Sequence, residues 1–177
     1  FSTLTENDLI DVTYDLIVLG TAQEQVNTRE ALALSKGWYI RLDQNPGEKI
    51  TSPVTVFNGV VWFTTYTPEL GGGPPPADPC VDVSGRGEAR LYALKYLTGE
   101  AAFEWSDVYE EDGDGNEVSK GKHDRVYTIG TSIASAPVIA VLRDGPQIYI
   151  GVEGGVKKED PNVTKTMETF FWRQMDN

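Results

Sequence analysis

The sequence predicts an all-β protein: a partial β-propeller of about two to three four-stranded antiparallel sheets, preceded by a short helical N-terminal segment. Three observations lead there. From residue 36 onward, short runs of β-branched and aromatic residues alternate with Gly, Pro and Asn punctuation. One stretch of that pattern recurs later in the chain. Only a single stretch is rich in helix formers.

The elements follow in order. Leu9 to Leu19 is apolar and β-branched toward its end, which fits a turn of helix after Thr5 running into a strand. Thr28 is the candidate N-cap of a helix of about two turns that stops at Gly37. Residues 1–35 therefore form an N-terminal segment, placed to pack on an upstream or partner chain, and residues 36–177 form the blades. Trp38 to Leu42, Lys49 to Val56 and Val60 to Thr67 read as strands, the last two joined through Asn58-Gly59, a strong hairpin signal. Ala89 to Tyr96 and Ala101 to Trp105 flank a turn at Thr98-Gly99. Ala136 to Leu142 and Gln147 to Val152 flank a second Gly-containing turn, and Met167 to Met175 is the final run. Two excursions interrupt the rhythm. Residues 69–84 carry Gly71 to Pro76, which cannot hold a sheet ladder, and residues 107–122 are acidic and Gly-rich.

The repeat decides the fold. Ser52-Pro53-Val54, a strand, a Gly turn and Val60 to Phe63 line up with Ser135-Ala136-Pro137-Val138, a strand, a Gly turn and Gln147 to Gly151. Four antiparallel strands in such an order make one propeller blade, and a closed propeller needs more blades than this chain supplies. A companion chain or an upstream segment is expected to complete it. A plain β-sandwich is the competing fold.

Composition narrows the function. The chain has 27 acidic against 15 basic residues and a net charge of −12, which repels a phosphate backbone and argues against a nucleic-acid partner. No apolar run approaches the ~20 residues of a membrane span. The chain opens on Phe1-Ser2-Thr3-Leu4 without a leader pattern, so a mature chain or a fragment is expected. Cys80 and His123 are each single, which leaves no internal disulfide, no Cys-based zinc cage and no Ser-His-Asp triad. His123 reads as an exposed loop residue. No pair of carboxylates has a spacing that marks acid and base, and the chain is expected not to be an enzyme. Trp38, Trp62, Trp105 and Trp172 read as core between sheets. Asn162-Val163-Thr164 fits a glycosylation sequon.

One candidate site remains. Asp112, Asp114 and Asn116 alternate through a Gly-rich turn, with Asp124 further on, and hard oxygen ligands at alternate positions suit Ca2+. The spacing departs from the EF-hand loop: position 6 counted from Asp112 is Glu117 where that loop has Gly, and position 12 is His123 where it has Glu. A solvated acidic loop is the alternative.

The succession Gly37-Trp38-Tyr39-Ile40-Arg41-Leu42, Gly47 to Val54, Val60 to Thr65, Asp78-Pro79-Cys80 and Leu91-Tyr92-Ala93-Leu94 resembles the C-terminal propeller of the PilC/PilY family of type IV pilus tip factors. Asp124-Arg125, Gly130 to Val138 and Phe171-Trp172-Arg173 resemble the end of that domain. The Leu-Tyr-Ala-Leu, Thr-Gly and Trp cluster is similar to quinoprotein-like blades, and a fragment of a quinoprotein-like dehydrogenase or a β-scaffold module without ligand are the other readings. The family resemblance implies a bacterial cell-surface protein at the pilus tip, associated with the outer membrane. It implies roles in pilus biogenesis and adhesion, with pilin or minor pilins and a host or abiotic surface as partners. It also implies calcium in loops with alternating Asp residues.

Overall fold

The computed structural model describes residues 3–68, 87–143 and 145–161. The excursion at 69–84 with Cys80, the sequon beginning at Asn162 and the final run with Trp172 lie outside the described residues; the described residues form several small sheets, none of them closed, all antiparallel except one parallel pair that joins segment 10–11 to segment 38–39.

A 3-10 turn at Glu6–Asp8 leads into β1 (Ile10–Asp11), followed by α1 (Ala22–Leu34), β2 (Trp38–Tyr39), β3 (Lys49–Ile50), β4 (Thr55–Phe57) and β5 (Val60–Pro68). Then come β6 (Gly87–Lys95), β7 (Glu110–Glu111), β8 (Glu117–Val118), a 3-10 turn at Lys122–Arg125 and β9 (Val126–Gly130). The last three strands are β10 (Val138–Leu142), β11 (Gly145–Val152) and β12 (Gly155–Glu159). Among the described residues no helix is long and apolar enough to cross a membrane.

The helix differs from expectation. It runs 13 residues and its N-cap is Thr21, not Thr28, because Thr21 and Glu24 form a reciprocal capping box. The Thr21 amide donates to Glu24 Oε2 at 2.8 Å, while Thr28 sits inside the helix and donates its hydroxyl to the Glu24 carbonyl at 2.7 Å. Gln23, Glu24 and Gln25 are ordinary helix formers, so nothing delays the start to Thr28.

The first sheet has five strands. β5 and β6 pair along their whole length, from Val60 opposite Lys95 to Pro68 opposite Gly87, with β9 beyond β6. β3 and β4 both pair with β5, so the single strand expected over 49–56 is broken where Pro53 removes a ladder donor. Asn58 and Gly59 turn the β4–β5 hairpin at φ 48 and 74, the two positive values that a two-residue loop matching strand twist requires. The second sheet, β10-β11-β12, is an antiparallel meander. The two main sheets thus have five and three strands, not four each. Ala101 to Trp105 is not a strand either: it makes one bridge, Ala101 to Leu94, and then carries its rings into the core. The 107–122 excursion contains a small hairpin, β7–β8.

Alternation along β5 and β6 gives the first sheet two apolar faces. One buries Trp62, Leu91 and Ala93 against Ile148 and Ile150 of β11, with Ile129 of β9 alongside. Leu91, Ile148 and Ile150 have no exposed surface, and each fully buried side chain of this size stabilises the fold by about 1.5–3 kcal/mol. Trp105 lies within ring contact of Trp62 and Tyr127, and Phe103 stacks on Trp105 at 5.3 Å. The other face buries Phe63, Tyr92 and Leu94 beneath Trp38, Ile40 and Leu42. Trp38 therefore packs away from the interface between sheets, and its Nε1 donates to the Tyr96 carbonyl at 2.8 Å.

The repeat seen in the sequence has a structural counterpart. Ser52 Oγ lies 2.7 Å from Thr64 Oγ1 and accepts from the Thr64 amide, and Ser135 Oγ accepts from the Gly151 amide at 2.8 Å. Each serine pins the start of its hairpin to the far strand. The two units also touch, since Thr64 Oγ1 donates to the Ser135 carbonyl at 3.1 Å and Thr55 Oγ1 to the Pro137 carbonyl at 3.0 Å.

Candidate functional site

The acidic hairpin β7–β8 places the expected ligands, and hydrogen bonds decide what each one does. At its tip Asp112 Oδ1 accepts from the Asp114 amide at 3.0 Å and the Asn116 amide at 2.8 Å, and the Asn116 side-chain amide reaches both Asp112 oxygens. These bonds favour the ionised form, the Asn116 side chain first, and hold the Asp112 carboxyl below its ordinary value. The trio Asp112, Asp114 and Asn116 is brought together in one turn, as its spacing implied.

Asp114 points elsewhere. Its Oδ2 accepts from the Ala22 amide at 2.7 Å, at the first residue of α1. A helix N-terminus has unpaired amides and a partial positive charge, so a carboxylate there both caps and neutralises it. The contact is close: a Cβ on Gly113 would lie 2.6 Å from the Thr21 amide nitrogen, which leaves glycine as the residue that fits.

Asp124 stands apart from the turn. It is buried, and its Oδ1 accepts from the Trp105 and Ser106 amides at 2.6 and 2.7 Å while Oδ2 accepts from the Gly121 amide at 3.1 Å. Exposed His123 gives its amide to Glu110 Oε2 at 3.0 Å, which ties the 3-10 turn to β7. Among the described residues no group of three or more His, Cys, Asp and Glu is arranged to hold a metal. The family resemblance implies calcium; in this structure one oxygen each of Asp112 and Asp114 accepts a main-chain N–H group, and Asp124 is bonded to segment 105–106, apart from the turn. What the arrangement does is clasp the hairpin to α1 and to the segment 105–106.

Two residues that sequence reasoning gave no role complete the clasp. Arg125 is buried and its Nη1 donates to the Val12 and Thr13 carbonyls at 2.8 and 3.2 Å. Its Nη2 lies 3.0 Å from Asp15 Oδ1, a carboxylate with no exposed surface on a residue at φ 56. Burial pushes the Asp15 carboxyl up from 3.8 to about 6, against the opposing pull of Arg125. The guanidinium is lowered, again by burial. Asp124 and Arg125 are adjacent, so consecutive side chains fasten segment 105–106 and segment 12–15 to the start of β9.

A second polar cluster lies on the Phe63 and Tyr92 face of the first sheet. The carboxylate of buried Glu48 accepts from Thr65 Oγ1 at 2.6 Å, Tyr92 Oη at 2.9 Å and Asn45 Nδ2 at 2.8 Å. Burial, then the Glu48 charge, drives the Tyr92 phenol upward. Nearby, a concavity of about 510 Å³ opens between Asn45, Thr67, Glu88 and Arg90, at the ends of β5 and β6. Arg90 is held there by Thr67 Oγ1 at 2.6 Å and by the Glu88 carboxylate. Thr67, Glu88 and Arg90 are thus bonded to one another at the rim of the concavity.

No protein family, curated protein or solved structure matches the chain.

Proposed function

We propose that this chain is a non-enzymatic interaction module, the C-terminal part of a pilus-associated cell-surface protein of the PilC/PilY type that acts in pilus biogenesis and surface attachment. The residue succession from Gly37 to Leu94 supports the family, and one structural observation carries the mode of action. Two hairpin units of the same design stack face against face, and the stack is open. Adjacent propeller blades are sheets of this kind, held by the apolar residues between them, and their loops and outer faces are binding surfaces. A protein that works by binding needs a rigid stack and variable loops, and the Ser52 and Ser135 pins together with the Asp124-Arg125 clasp provide the rigidity.

Purified chain and purified pilin or minor pilins, brought together in a label-free binding assay, test the reading. Saturable binding to a pilin subunit, with loss of surface piliation when the encoding segment is deleted from its source, is the expected result. Absence of binding to every pilus subunit together with normal piliation overturns it.

A further inference from the structure

A small cavity lies where the N-terminal segment meets the first sheet. Buried Thr13, Tyr92 and Arg125 form its floor, and Arg41, Gln44 and Lys122 form its more exposed rim. It measures about 20 Å³, which is room for one occupant of about a water's size and too little for two. The floor holds an unmet donor. Arg125 is 3% exposed; its Nη1 serves the Val12 and Thr13 carbonyls and its Nη2 faces Asp15, while its buried Nε has no acceptor. A buried N–H left without an acceptor is costly, and more so on a charged group, so the cavity beside it suits an occupant that accepts.

The lining decides the occupant's charge. Arg41, Lys122 and Arg125 meet at this one cavity, and among the described residues no carboxylate lines it, in a chain whose net charge is −12. Arg41 is already paired, with Glu6 and Asp11. Lys122 is not: its Nζ lies 5.1 Å from the centre of the Tyr14 ring, and among the described residues it forms no ion pair. The acidic side chains that act on Arg125 are Asp15, Glu100 and Glu110, none of which lines the cavity. A water molecule would answer the Nε hydrogen and leave the Lys122 charge unmatched. An anion answers both, because a bond between two charged partners is about twice as strong as one between neutral groups. The four oxygens of sulfate or phosphate do not fit a space for one water-sized occupant, which leaves a monatomic anion.

We propose that this cavity is a halide site, in which chloride accepts from Arg125 Nε beside Lys122 and joins segment 12–15, segment 40–44 and the 3-10 turn at Lys122–Arg125. The site stands independently of the pilus reading. Two measurements on the full chain test it. In crystals soaked in sodium bromide, one anomalous peak is expected within hydrogen-bonding reach of Arg125 Nε. In solution, the thermal midpoint in sodium chloride should exceed that in sodium gluconate of equal ionic strength by about 3 °C, and the difference should level off as the site fills. Lys122→Glu puts a carboxylate at the rim and should abolish the difference. Lys158→Glu, which makes the same charge change at an exposed position on β12, should retain it and so separates the site from a general salt effect. Four results overturn the site: no density there, density that bromide does not replace, as a bound water would give, equal midpoints in the two salts, which would make any peak an adventitious ion only, or a difference that survives Lys122→Glu.

Discussion

Replacing Asp15 by Asn removes one charge from a buried pair while keeping a side chain that accepts the left-handed backbone, φ 56, of this position. Asp15 has no exposed surface, and burial raises its carboxyl from 3.8 to about 6 in the folded chain. A folded value above the unfolded one means that the folded state takes up the proton first. The stability this group contributes is therefore fully present below about pH 4 and is lost as the pH rises through about 6. A shift of roughly two units corresponds to about 3 kcal/mol at ~1.36 kcal/mol per unit. Asn has no proton to lose, and every other group titrates alike in both proteins. The unfolding free energy of the wild type minus that of Asp15→Asn should thus fall by about 2–3 kcal/mol between pH 4 and pH 8. Urea unfolding followed by Trp fluorescence across that range gives both curves. Curves that stay parallel would refute the assignment of Asp15 as a buried charge opposite Arg125.

Three further outcomes follow from named contacts. Ser52→Ala removes the contacts to the Thr64 hydroxyl and amide, and Ser135→Ala removes the bond from the Gly151 amide at the corresponding place in the other unit; each should cost about 1–2 kcal/mol, and no destabilisation of either in chemical denaturation would break the structural equivalence of the repeat. Gly113→Ala puts a methyl group against the Thr21 amide and should destabilise by about 1–3 kcal/mol, with loss of α1 signal at 222 nm in circular dichroism preceding global unfolding; unchanged stability would show that hairpin and helix do not touch. Calcium at millimolar levels should move the thermal midpoint by less than about 1 °C, since Asp114 caps α1 and Asp124 is bonded to segment 105–106, so that among the described residues no group of three acidic ligands is gathered; a rise of several degrees, lost in Asp112→Asn, would establish an ion site.

The strand content was legible because period-two patterns and turn chemistry are local. Asn58-Gly59 fixes its hairpin by itself, and the long pairing of β5 with β6 follows from two apolar runs. β12 escaped notice because Gly155-Val156-Lys157-Lys158-Glu159 is a charged edge strand with a single apolar residue, and edges are where charge is tolerated. The helix start was missed because Thr21-x-x-Glu24 is a reciprocal box that outweighs a lone Thr28. For the site, spacing alone brought Asp112, Asp114 and Asn116 into one turn, but it could not show that Asp114 would meet an amide at Ala22. Asp15 and Arg125 lie far apart in the sequence, and no local pattern links them. Only the packing of the N-terminal segment on the first sheet brings them within 3.0 Å.

The claim that the two repeated sheets form one core is tested most directly by a double-mutant cycle across their interface. Leu91 and Ile148 are buried completely, one from each sheet, in the same apolar cluster. Leu91→Ala and Ile148→Ala should each destabilise by about 2–5 kcal/mol, and the double variant should depart from their sum by about 0.5–3 kcal/mol because the two truncations share a cavity. Single costs that add to within about 0.3 kcal/mol would contradict a common core and leave the sheets as independent neighbours.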